Sequence, residues 1–72
     1  MIEIGRLGVI ERGDDSGLQV KVLDDSDNTG GFLIITGKNL SDKSSEAFDD
    51  WVATKEDLKG YFEESKWVVK WL

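Results

Sequence analysis

The chain has 72 residues, with 15 Asp and Glu against nine Lys and Arg, a net charge of −6, and no His, Cys or Pro. This length makes one domain (1–72) that buries only about 60–65% of the surface exposed by its unfolded form, and the missing residue types exclude a thiolate nucleophile, a Cys/His zinc centre, a disulfide framework and a Ser-His-Asp triad. The acidic balance argues against nucleic acid and anionic membranes as partners, and no apolar run approaches the roughly 20 residues of a membrane-spanning helix.

Residues 2–12 read as a first strand with a break. Ile2 and Ile4 share one parity, Leu7 and Val9 the other, and Gly5 and Gly8 flank the change of phase. Glycine inside a strand marks a bulge or a sharp bend, so the strand is expected kinked or split. Gly13-Asp14-Asp15-Ser16-Gly17 is a turn, because Asp and Ser bond their own backbone and Gly accepts positive φ. Leu18, Val20 and Val22 then alternate with Gln19 and Lys21 as a half-buried second strand, and the two segments make a hairpin. Asp24 to Gly31 is a polar connection. Phe32-Leu33-Ile34-Ile35 is apolar at four consecutive positions, the signature of a strand inside a sheet, and Gly37 ends it.

Residues 38–50 have no period and are rich in Ser, Asp and Lys. They read as a long irregular connection, of a length often tied to function, or as one with a short helical turn near Glu46-Ala47-Phe48. Thr54 is placed to cap a helix, with Asp57 three residues on. Leu58, Tyr61 and Phe62 form its apolar stripe, and Gly60 weakens it or permits close approach to the sheet. Trp67, Val69 and Trp71 share one face of a closing strand. The expected architecture is α+β: a small β-β-β-α-β domain with a three-stranded antiparallel meander, a C-terminal strand in the same sheet, and one helix packed on one sheet face. Leu33 and Ile35 point opposite to Phe32 and Ile34, so the face without the helix needs cover too, from Trp51 or a partner.

Three chemistries can be weighed against these elements. Asp25, Asp27 and Thr29, followed by Gly30, match the first half of an EF-hand-type calcium loop. Thr36 stands where the bidentate Glu belongs, and the flanks are strands, so the loop remains an alternative only and no cofactor is assigned. The pairs Asp14/Asp15, Asp24/Asp25 and Asp49/Asp50 invite comparison with a glycosidase, but adjacent carboxylates on a strand point apart and a domain this small has little room for a cleft. No catalytic residue is assigned and the chain is not expected to be an enzyme. Phe48-Asp49-Asp50-Trp51 sets two carboxylates between two aromatics. One reading buries Phe48 and Trp51, at i and i+3, in the core and leaves the carboxylates merely solvated. The other makes a recognition surface for Lys or Arg of a partner, carried by Asp42, Glu46, Asp49, Asp50 and Trp51.

Gly30 to Ile35, Phe48-Asp49-Asp50-Trp51-Val52, the helix and the closing Trp67-to-Trp71 strand together resemble small acidic bacterial proteins, some of them similar to immunity proteins of polymorphic toxin systems. The resemblance spans residues 18–72 and rests on short hydrophobic motifs. It implies a cytoplasmic protein that binds and inhibits a cognate toxin, often a nuclease. The Met1–Gly5 segment has no leader pattern and the lack of Cys suits the cytoplasm. The expected partner is a protein with a basic surface, and the charge favours a monomer.

Overall fold

The computed structural model describes residues 2–72. It contains β1 (Leu7–Arg12), β2 (Gln19–Asp25), β3 (Gly31–Gly37), β4 (Ala47–Val52), α1 (Lys55–Glu64) and β5 (Val68–Trp71). All five strands join one antiparallel sheet in the order β4-β3-β2-β1-β5. The α+β class expected from the sequence is present, with one helix on one face of the sheet. The meander runs one strand further than its apolar pattern indicates. Ala47–Val52 is a strand, neither irregular nor a helical turn, so the connection after β3 spans only residues 38–46.

The first segment is split as its glycines indicate. Ile4 makes an isolated bridge to Val22, Gly5 takes φ +76°, and β1 begins only at Leu7. A register shift between Ile10 and Arg12 then bends β1 against β5. This phase puts Ile10, fully buried, on the helix side of the sheet. Val20 and Val22 of β2, and Phe32 and Ile34 of β3, share that face and meet Leu58 and Phe62 of α1. Burying each such side chain stabilises by roughly 1.5–3 kcal/mol. Leu18, Val52, Tyr61, Trp67, Val69 and Trp71 pack around this core half-buried. The opposite face carries Leu7, Val9, Leu23, Leu33 and Ile35, and no second layer covers it among the described residues. No helix of these residues is long and apolar enough to cross a membrane.

The helix begins and ends on local chemistry. Thr54, extended at φ −134°, accepts a hydrogen bond from the Asp57 N–H at 3.0 Å. At the other end Lys66 adopts φ +57°. Its N–H donates to the Glu63 carbonyl, and the Trp67 N–H to the Phe62 carbonyl, each at 3.1 Å. These two bonds define a Schellman ending, and its accompanying apolar contact is present too. The Phe62 and Trp67 rings meet edge to face, centroids 4.9 Å apart. Gly60 does not press on the sheet, since a Cβ there would meet nothing within 4 Å.

The β1–β2 turn docks on this helix end. The Asp14 N–H donates to the Ser65 carbonyl at 2.9 Å, and the Trp67 indole N–H to the Asp14 carbonyl at 2.6 Å. Gly13 makes the approach possible. It has φ +100°, and a Cβ on it would stand 2.3 Å from the Lys66 carbonyl oxygen. Gly13→Ala is therefore expected to cost about 2 kcal/mol or more through combined steric overlap and strain. Lys66→Gly should gain about 0.5–1 kcal/mol by relieving the left-handed backbone. Urea melts of the two variants check the opposite signs, and equal midpoints would contradict this account of the corner.

Candidate functional site

Strand β4 lies at one edge of the sheet, and five of its six residues are exposed. Phe48 is 63% and Trp51 50% exposed, so neither plugs the core. The pleat divides the quartet that reads as one cluster in sequence. Phe48 and Asp50 stand opposite Thr36 and Ile34, on the helix side, while Asp49 and Trp51 stand opposite Ile35 and Leu33, on the open side.

Each of the five residues put forward for docking has a distinct setting. The Asp50 carboxylate accepts the Tyr61 hydroxyl at 2.5 Å, which ties β4 to α1. Asp49 is exposed, and among the described residues no hydrogen bond or ion pair engages its side chain. The Trp51 indole lies over Gly31, where a Cβ would stand 2.7 Å from the ring, and its N–H donates to the Thr29 hydroxyl at 2.8 Å. It thus rests beside Leu33 and covers part of the face turned away from the helix. Asp42 organises its own loop. It accepts from the Ser44 hydroxyl at 2.7 Å and the Ser44 N–H at 2.9 Å, and these bonds hold its carboxyl below the usual range. Glu46 is exposed beside a shallow depression of about 310 Å³ that it shares with Leu18, Gly37 and Phe48. The structure therefore gathers Asp49 and Trp51 on one face of β4, turns Asp50 to the other, and leaves Asp42 and Glu46 on the preceding loop.

The alternative metal loop is a hydrogen-bonded turn. The Asp25 carbonyl accepts the N–H groups of Asn28, Thr29 and Gly30, at 3.1, 2.8 and 3.3 Å, and the Thr29 hydroxyl at 3.3 Å. Neighbouring Asp24 accepts from Ser26, which lowers its pKa. Among the described residues no group of three or more acidic, His or Cys side chains is arranged to hold a metal ion.

Two features of this flank are not apparent from the sequence pattern. The first is its backbone. The carbonyl oxygens of Glu46 and Val52 press on β3, within 2.8 and 2.3 Å of where a Cβ would stand on Gly37 and Gly31. Even-numbered residues of β4 thus turn their peptide groups to β3, and Ala47, Asp49 and Trp51 turn theirs outward. The second is charge. The stretch from Asp24 to Asp57 holds nine acidic residues and three lysines, a net of −6, and the rest of the chain balances at six of each sign. That stretch is the end of β2, the turns, β3, β4 and the first turn of α1, so the whole net charge sits on one side of the sheet. A count of charge by segment would have found this asymmetry from the sequence.

No family model matches the chain, and no curated protein or solved structure matches it.

Tyr61, the single tyrosine, reports on the β4–α1 contact. Burial, then the bond to Asp50, then the charges of Asp50 and Asp15 push its hydroxyl from 10.0 up to about 12. The folded state therefore holds this proton more tightly than the unfolded chain. The stabilisation is fully present below about pH 10 and is lost as pH rises through about 12. Tyrosinate absorbance should titrate near pH 12 in the native protein, and Asp50→Asn should lower that midpoint. A native midpoint near 10 would contradict the contact.

Proposed function

We propose that this protein is a non-catalytic interaction module that sets its β3–β4 flank against a basic surface of a partner protein. In this reading it is an immunity-like inhibitor, and a toxin nuclease in the bacterial cytoplasm is the kind of partner it serves. The observation that carries the reading is the confinement of the full −6 charge to the Asp24–Asp57 side of the sheet. Charge spread evenly over a small domain promotes solubility alone. Charge on one flank also orients the molecule in the field of a basic partner and speeds a correctly aligned encounter. A nuclease cleft is positive because it binds phosphates, so an acidic flank can occupy it and exclude the nucleic acid. Blocking a cleft requires no reactive group on the inhibitor.

A photo-crosslinking residue at Glu46, used in the native host, should trap the partner, and kinetics with both purified proteins then test the mode of docking. Association is expected to slow about tenfold between low salt and 0.3 M salt. Asp24→Lys/Asp27→Lys/Asp49→Lys should slow it by a similar factor, with a smaller effect on dissociation. The wild-type chain should suppress the partner's activity at equimolar ratio. Association indifferent to both salt and charge reversal would defeat the proposal, as would full partner activity in the complex.

A further inference from the structure

We infer that β4 is a strand-addition site, and that its occupant is an extended protein segment with a Lys or Arg opposite Asp49 and an apolar residue opposite Trp51. The inference rests on the docking reading above and specifies how the flank engages its partner. Three observations carry it. The peptide groups of Ala47, Asp49 and Trp51 face outward at intervals of about 7 Å, and among the described residues β4 has β3 as its sole neighbour in the sheet. This edge has six residues, no Pro, and a continuous register with β3 from Ala47 to Val52. Among the described residues no bulge, Pro or covering element spoils this edge, and charge is the one protective device it carries. Finally, its two exposed aromatics lie on opposite faces, Phe48 on one and Trp51 on the other. An incoming strand can pack alternate side chains against each.

Charge selects the occupant. Two β4 strands in the antiparallel register centred on Asp49, which pairs outward peptide groups with outward peptide groups, would set Asp49 against Asp49 and Asp50 against Phe48, with like charges directly opposite at the centre. Such pairs destabilise a sheet, so the edge rejects a second copy of this chain. A basic side chain at the central position reverses the sign. Asp49 is the residue available to meet it, because Asp50 points to the helix side and already accepts the Tyr61 hydroxyl. Antiparallel addition then fixes the order along the partner: apolar, any residue, basic. The added segment becomes a sixth strand and brings its remaining positive charge over the Asp24–Asp57 flank.

The test uses the full chain and the capped peptide Thr-Val-Thr-Lys-Val-Thr at low salt. The same peptide N-methylated at alternate amides, and one with Glu in place of Lys, serve as controls. The readout is amide exchange and chemical shift by NMR. In the free protein the amides of Ala47, Asp49 and Trp51 should exchange much faster than those of Phe48, Asp50 and Val52. Saturating basic peptide should slow the first three by about tenfold or more, and the Glu peptide should not. Asp49→Lys, at an exposed position whose fold the spectrum itself verifies, should abolish the effect. If the N-methylated peptide shifts the flank as strongly and none of the three amides gains protection, strand addition is overturned while charge-based docking stands. If neither basic peptide perturbs β4 or the adjoining loops, both fall.

Discussion

A single helix must carry the chain from one edge of the sheet to the other, and most of the structure answers to that requirement. Because β4 and β5 are the two edge strands, the connection between them has to cross four strand spacings, about 19 Å. Ten helical residues rise only about 15 Å. The extended Thr54 at one end and the left-handed Lys66 at the other supply the remainder. Lys66 turns the chain so that Trp67 folds back onto Phe62 and β5 enters beside β1. The β1–β2 turn closes over the same point through Gly13 and Asp14. The crossing also dictates the core, because the helix lies on one face and buries the residues of that face alone.

What the sequence made legible follows period and local chemistry. Val20 and Val22 alternate cleanly and are fully buried. Thr54 caps the helix, and Leu58 and Phe62 face the core from it, because stripe and cap lie within a few residues of one another. Strand β4 is not legible in the sequence because its stabilisation is not local. Ala47-Phe48-Asp49-Asp50-Trp51-Val52 lacks an apolar alternation, and Asp is disfavoured in strands. The pairing is supplied by β3, whose peptide groups on the side away from β2 find their partners in β4. The run Phe32-Leu33-Ile34-Ile35 is the available signal, since it marks a strand inside the sheet and an interior strand has a neighbour along each edge. Phe48 and Trp51 lie on opposite faces for the related reason that a spacing of three places residues together on a helix and apart on a strand.

Within the candidate site, residue type was legible and arrangement was not. Asp49 and Asp50 are adjacent in sequence, yet they do different work because a strand sends consecutive side chains to opposite faces. Asp50 meets Tyr61 and joins the edge to the helix. Asp49 meets solvent. Trp51 covers the open face in part, lying against Gly31 and beside Leu33, and so belongs both to the packing of β3 and to the exposed edge. Asp42 and the Asp25 turn satisfy their own loops, which accounts for much of the acidic density between residues 24 and 46 in terms of backbone geometry.

The edge position of β4 then gives its acidic residues a second meaning. An exposed strand with outward peptide groups invites pairing of any kind, and proteins that keep one must forbid the wrong pairings. Lysine is the common deterrent, because positive charge repels the same strand in another copy. Here the deterrent is aspartate, which repels the copy equally well but leaves the edge attractive to a basic chain. A lysine edge on an otherwise balanced domain would be only protective. Under the proposed strand addition, an aspartate edge at the centre of a flank that carries the whole net charge is both protective and selective, since discrimination between partners depends on what is repelled as much as on what is bound. The division between Asp49 and Asp50 completes the arrangement: one carboxylate ties the strand to the helix through Tyr61, and the other is the group that the proposed strand addition uses to select its partner.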